Sequence, residues 1–427
     1  MRIVFASLGS LGDLHPLMAL ARAAEARGHE TVMAASCGYR SYVNSLGFSF
    51  HAIRPALEAD SERREHLSHP TRGPERFLRE EIFPSVRETY ADLREAARGA
   101  DLLVVGELLY VGPLVADRMK IPWANVILSP SSFLSACDPC VLAPAPWMHR
   151  LRRFGTWPHE LIFALGRSMT SRWGAPLQAL REELGYPRGP SPVFEGKHSP
   201  RLVLAGFPSF FAAPQRDWPA AVVQTGFPFF SQPVSAETRE RIAEFAGSGE
   251  PPVVFTLGSI AVDIARDFYD CAIEAARKAG RRAILLLGKN PVPAAAGTDT
   301  LCLAYAPLDT VLPGAAAVVH HGGIGTCAEA LRFGVPSLVI PFGFDQPDNA
   351  ARLARIGAGH VLPRHRFSKK RLATALEQLL ASAAIRVRVR ETAKQIRPDQ
   401  EMKRSLDALE TLAASRPRRH SVHAEVC

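Results

Sequence analysis

HHGGIGTCAEALRFGVPSLVIPFGFDQPDN, residues 320–349, brings together a strand end, a glycine turn, a helix, a second apolar strand and a polar loop. The apolar run 315–319 enters His320-His321-Gly322-Gly323, and helical spacing of apolar residues over 326–333 follows at once. The glycines therefore occupy a strand-to-helix turn. Gly322, Gly323 and Gly325 let a diphosphate approach the main chain, and the helix N-terminus adds unpaired N–H groups and the positive end of the macrodipole. A glycine turn can serve packing alone. What points to a ligand is its ordered company: His321, Glu329, Asp345 and Gln346. The last two follow the apolar run 337–340 and so land at the carboxyl end of a strand, where ligands of doubly wound sheets bind.

Outward from this stretch, two parts of the chain each alternate strands and helices, the pattern of an α/β protein with two doubly wound parallel sheets. The first part reads as a strand over 3–7, a helix over 16–27 closed by Gly28, and strands over 30–35, 101–105 and 124–128, with a helix over 112–119. The second reads as strands over 252–257, 284–287, 315–319 and 337–341. Residues 140–200 read as an irregular insert rich in Pro, Trp, Phe and Arg, suited to recognising a second substrate.

The segment 320–349 resembles the donor-binding signature of nucleotide-diphosphosugar glycosyltransferases of the UDP-glycosyltransferase superfamily, with its HGGxGT core, a Glu one turn on and a terminal Asp-Gln. The resemblance implies that His321 meets the donor's α-phosphate and that Gly325 and Thr326, with the amides from Gly322 and Gly323 onward, meet the phosphates. It implies that Glu329 takes the ribose hydroxyls, and Asp345 with Gln346 those of the sugar. It covers nearly the whole chain and implies the GT-B arrangement, two Rossmann-like domains facing across a cleft. The expected division is an acceptor-binding domain over 1–232, a linker over 233–251 with a short helix, and a donor-binding domain over 252–398. A helix over 399–415 returns to the first domain, and 416–427 is a disordered basic tail.

Gly9-Ser10-Leu11-Gly12-Asp13-Leu14-His15-Pro16 joins the first strand to the first helix, with Pro16 as the opening helical residue. Asp13 would project from this turn into the cleft, where a base is wanted, and could also cap the helix. The turn is not the dinucleotide fingerprint GxGxxG, which disfavours nicotinamide and flavin. It resembles the GxxGDxxP opening of sterol, rhamnolipid-type and glycopeptide-antibiotic glycosyltransferases, many of which carry His at the position of Asp13. An exposed Asp has a pKa near ~3.9 and is a weak base, whereas desolvation in a closed cleft raises it. His15 is the rival base, although a residue beside Pro16 suits capping or packing better.

The same resemblance places further residues. Gly12 lies in the catalytic turn beside the donor, and Ser259, in Leu257-Gly258-Ser259, joins the phosphate cradle. Tyr305 and Ala306 stand where relatives stack an aromatic, usually Trp, on the nucleobase; Leu308 replaces a frequent Gln there, so UDP and dTDP both remain open. Glu107 falls where relatives place an acidic partner, and reads equally as a solvated strand-end carboxylate.

The expectation is an inverting, metal-independent transferase that moves a hexose or deoxyhexose from a UDP- or dTDP-sugar to a hydroxyl of a hydrophobic acceptor (lipid, sterol-like or polyketide). The nucleotide sugar is a co-substrate, and no cofactor is needed. A sugar-nucleotide 2-epimerase and a non-catalytic nucleotide- or lipid-binding protein on the same fold are the alternatives.

Composition agrees with an enzyme of this kind. At 427 residues, 47% hydrophobic and 22% charged, the chain reads as a soluble protein of two domains. The best apolar run, 102–116, is broken by Glu107 and two glycines, and the opening lacks the features of a signal peptide. Seven scattered cysteines read as reduced cytoplasmic thiols, and the lone Cys137/Cys140 pair has no second pair with which to hold zinc. Residues 364–427 carry 15 Lys and Arg against 7 Asp and Glu, +8 of the net +9. Arg386, Arg388, Arg390, Arg416, Arg418 and Arg419 could meet the inner face of an anionic membrane, although a solvated helix face is the plainer reading. Only Phe367 interleaves with these charges, so nucleic acid is not an expected partner. Trp147, Phe154, Trp157 and Phe163 lie among Arg150, Arg152, Arg153 and Arg167, an apolar surface with a cationic margin that fits a hydrophobic acceptor.

Overall fold

The computed structural model describes residues 1–57, 61–67, 69–258, 261–265 and 267–415. Ser259 and the tail 416–427 lie outside them. The first sheet has seven strands, β1 (Arg2–Ala6), β2 (Glu30–Ala35), β3 (Phe50–Ala52), β4 (Leu102–Gly106), β5 (Trp123–Ile127), β6 (Val203–Ala205) and β7 (Val222–Gln224). They lie in the order β3-β2-β1-β4-β5-β6-β7, and every pairing is parallel. The second sheet has six: β8 (Val253–Thr256), β9 (Ala283–Leu286), β10 (Thr300–Leu303), β11 (Ala317–His320), β12 (Ser337–Val339) and β13 (Gly359–Val361). Their order is β10-β9-β8-β11-β12-β13, again all parallel. Helices cover both faces, which is why the central strands are apolar at consecutive positions rather than alternating. Val4, Phe5 and Ala6, and likewise Val253, Val254 and Phe255, are fully buried. These are the two doubly wound sheets of the GT-B arrangement.

Strand order reverses between β1 and β4 in one sheet and between β8 and β11 in the other, and the carboxyl ends at such switch points are where doubly wound folds bind ligands. The helix that follows β1 carries Asp13 in its first turn, the end of β4 leads to Glu107, and the end of β11 leads to His321.

Two parts differ from the sequence reading. The first helix spans Leu11–Ala26 and so begins five residues before Pro16. Ser10 caps it: its side chain accepts the Gly12 amide, while Asp13 at the third helical position accepts the Ser10 amide, a reciprocal capping box. Gly12 and Pro16 both look like breakers, but two capped amides at the N-terminus outweigh them. The insert is also more regular than expected, with helices Trp157–Thr170 and Ala175–Glu183. Each carries its proline in the first turn, where a missing N–H costs nothing.

The domains are joined by a shared core in which Phe207 and Phe211 of the first pack with Leu331, Leu353 and Val389 of the second. Arg352, with only 3% of its side chain exposed, pairs with Asp348 at 2.7 Å and crosses to Asp138 at 2.6 Å. The helix Pro398–Ala414 lays Leu406, Leu409 and Leu412 into the core that contains Leu14 and Leu17 of the first domain, and Arg27 pairs with Asp407 and Glu410 at 2.9 and 3.0 Å.

Candidate active site

The glycine turn after β11 is shaped by the backbone. Gly322 has φ +96°, and a Cβ there would stand 2.8 Å from Val339, so only glycine fits without strain. Its amide donates to His320 Nδ1 at 3.1 Å. The helix Ile324–Arg332 then begins without a side-chain cap, its first return bond running from the Cys327 amide to Gly323 O at 3.0 Å. The amides of Ile324, Gly325 and Thr326 consequently have no partner in the helix and present its positive end. Gly325 is exposed, and a Cβ on it would meet only open space.

His321 is held between two glycines. A Cβ at Gly258 would lie 2.4 Å from its Cε1, and one at Gly323 2.4 Å from its Nε2. Burial pushes the imidazole pKa down to about 4, so the ring is neutral near pH 7 and offers one N–H; its buried Nδ1 has no hydrogen-bond partner among the described residues. Gly258, at φ +67°, was not singled out in the sequence; its signal is its place just past β8, facing the His321 strand end.

Asp345 and Gln346 sit at the start of the helix Gln346–Arg355. Gln346 Oε1 accepts the amides of Phe342 and Gly343 at 2.8 and 3.1 Å. Burial above all, with the charges of Asp13 and Glu107 adding to it and the Asn349 hydrogen bond opposing it, raises the Asp345 carboxyl to about 7. Carboxylates from both domains thus face one another across the cleft. Asn349, which sequence reasoning passed over, ties this loop together. It is fully buried, donates to Asp345 at 2.7 Å and to the Gly322 carbonyl at 3.0 Å, and accepts from Ser129 of the first domain at 3.1 Å. Glu329, one turn along the helix Ile324–Arg332, is raised to about 7 by burial, with Arg332 at 3.4 Å opposing that rise. Thr326 is buried in the same first turn.

On the facing domain, Asp13 Oδ2 accepts from the amide and hydroxyl of Ser10 at 2.8 and 3.1 Å. A Cβ at Gly9, which has φ +122°, would lie 2.4 Å from that oxygen. Burial lifts the Asp13 carboxyl to about 6; the Ser10 hydrogen bonds oppose the rise and Glu107 adds to it. Glu107 is no simple solvated carboxylate: it accepts from Ser132 and pairs at 3.2 Å with Lys197, whose side chain is buried. His15 is engaged elsewhere. Its Nε2 lies 2.8 Å from Tyr42 Oη and 3.3 Å from Gln232 Nε2, its ring packs on Phe230, and burial holds it down to about 4.

Tyr305 is 54% exposed, with its hydroxyl bonded to Gln232. Ala306 is buried, in the core behind the second sheet. Gly12 is exposed at the second position of the first helix. Of the insert aromatics, Trp147, Phe154 and Trp157 are exposed, whereas Phe163 is buried with its ring 6.1 Å from Phe194. Cys137 and Cys140 are free thiols. Among the described residues no group of three or more His, Cys, Asp or Glu could hold a metal ion, and no helix is long and apolar enough to cross a membrane.

Residues 264–407 match the family described as Erythromycin biosynthesis protein CIII-like, C-terminal domain. The chain is 31% identical over 436 residues to O-mycaminosyltylonolide 6-deoxyallosyltransferase of Streptomyces fradiae, covering 99% of this chain and 100% of that one. It is 29% identical over 366 residues to vancomycin aglycone glucosyltransferase of Amycolatopsis orientalis, covering 84% and 85%. Among solved structures, spinosyn forosaminyltransferase SpnP superposes with a TM-score of 0.69 at 20% identity over 97% of this chain and 99% of that one. Glycosyltransferase VinC in complex with dTDP gives 0.65 at 21% over 97% and 100%; these two likenesses concern the fold.

Proposed function

Because the chain belongs to the antibiotic glycosyltransferases of the UDP-glycosyltransferase superfamily, we propose that it transfers a deoxyhexose or hexose from a dTDP- or UDP-sugar to a hydroxyl of a polyketide-type acceptor. The relative from Streptomyces fradiae is named for 6-deoxyallosyl transfer to a tylonolide, and VinC was solved with dTDP. These favour dTDP over UDP and a polyketide over a sterol or lipid.

The observation that carries the reading is the pairing, across one cleft, of a desolvated Asp13 with the uncapped helix N-terminus beside His321. Asp13 takes the proton of the acceptor hydroxyl as its oxygen attacks the anomeric carbon. The bond from that carbon to the phosphate oxygen breaks, its electron pair leaving with the nucleoside diphosphate, and the configuration inverts. An Asp raised to about 6 is still ionised at neutral pH and is a stronger base than an exposed one. Charge developing on the leaving diphosphate meets the amides of residues 324–326 and the neutral imidazole of His321, fixed dipoles that need no reorganisation. No step in this scheme calls on a metal or cofactor. Asp345 and Gln346 hold the sugar, Glu329 the ribose, and Tyr305 stacks on the base. Lys197 and Ser132 keep Glu107 in place, and the charge of Glu107 keeps Asp13 basic.

The test is mass spectrometry of the protein with dTDP- and UDP-sugars, with and without macrolide aglycones. An acceptor heavier by one sugar, formed only when both substrates are present, supports transfer. Conversion of the donor without an acceptor supports the epimerase instead.

A further inference from the structure

The helix Trp157–Thr170 carries an apolar row that nothing among the described residues covers. Trp157, Leu161, Leu165 and Met169 recur at every fourth residue and are 62%, 54%, 57% and 76% exposed. Residues four apart share a face, so these side chains form one ridge about 18 Å long. Trp147 and Phe154, in the segment just before the helix, are 62% and 53% exposed. Isolated exposed apolar residues are ordinary, but a continuous row of this length marks a contact surface. It is also longer than one small acceptor needs.

The charges around it select the occupant. Residues 147–173 hold five arginines and one acidic residue, Glu160. Arg167 pairs with Glu195, while Arg150, Arg152, Arg153 and Arg172 are exposed and have no carboxylate partner among the described residues. A second copy of the chain would bring the same arginines against them, and the tail 416–427 is basic as well. A convex single ridge needs no complementary groove if the partner is a deformable interface into which it can sink. Tryptophan and leucine on one side with arginine at the margin is the composition of helices that lie in the headgroup region of anionic bilayers.

We infer that the outer face of helix Trp157–Thr170, with the arginines of 150–153 and Arg172, docks on an anionic lipid surface.

The full chain is to be sedimented with vesicles of phosphatidylglycerol and phosphatidylcholine, and with vesicles of phosphatidylcholine alone. Binding is expected to anionic vesicles only, to weaken as salt rises, and to fall at least tenfold in Leu161→Asp/Leu165→Asp and in Arg152→Glu/Arg153→Glu. All these positions are exposed, so both variants should keep the wild-type melting temperature; two different chemical changes guard against a folding artefact in either one. Equal binding to neutral vesicles, no binding, or a wild-type dimer that Leu161→Asp/Leu165→Asp converts to monomer would each overturn the inference.

Discussion

Asn349 holds the carbonyl of Gly322 at 3.0 Å from its side-chain amide. Through its remaining contacts, to Asp345 at 2.7 Å and Ser129 at 3.1 Å, it also sets the Asp345 carboxylate and reaches the opposite domain. The glycine turn and the Asp345 loop are therefore not independent: both hang on one buried amide.

Asn349→Ala should strip the buried Gly322 carbonyl of its side-chain donor and take one hydrogen bond each from Asp345 and Ser129, at a cost on the order of 2–4 kcal/mol. The variant should melt earlier and bind dTDP about tenfold more weakly. Thermal unfolding and isothermal titration check both, and unchanged affinity in a destabilised variant would reduce Asn349 to a packing role.

Gly323→Ala would place a methyl group 2.4 Å from His321 Nε2. The ring must then tilt away from the donor. The KM for the nucleotide sugar should rise tenfold or more, with cooperative unfolding retained. A variant with wild-type KM would show that His321 does not meet the phosphate.

Much of this site can be read along the chain, because its pieces are local. The glycines, His321, Glu329 and Asp345 declare themselves by their spacing around strand ends. What could not be read depends on partners distant in sequence. Lys197 meets Glu107 across ninety residues, and Gly258 matters only because β8 lies beside β11. The first helix starts earlier than Gly12 and Pro16 suggest, because the Ser10–Asp13 capping box, itself local in sequence, outweighs both breakers. Nor does spacing alone separate the buried Phe163 from the exposed Trp157 and Leu161, since which face of a helix packs inward is decided by its neighbours.

The raised Asp13 carboxyl gives two pH dependences of opposite sign. As a base it must be ionised, so kcat/KM should rise with pH through about 6 and level off above it. For stability, a folded pKa above the ordinary value of 3.8 means that folding favours the protonated form. That contribution is complete below 3.8 and is lost as pH rises through about 6. Asp13→Asn keeps an oxygen for the Ser10 cap, so it should stabilise the protein at pH 8 and leave it unchanged near pH 4. Denaturant unfolding at the two pH values reads the difference, and equal effects at both would contradict the buried placement of this carboxyl.

The most direct measurement is single-turnover transfer by Asp13→Asn, with dTDP affinity measured on the same sample. The account predicts unchanged nucleotide binding and a rate lower by about 10² or more, the loss expected when a general base is removed. Near-normal turnover with intact binding would contradict it and send the search for the base elsewhere in the cleft.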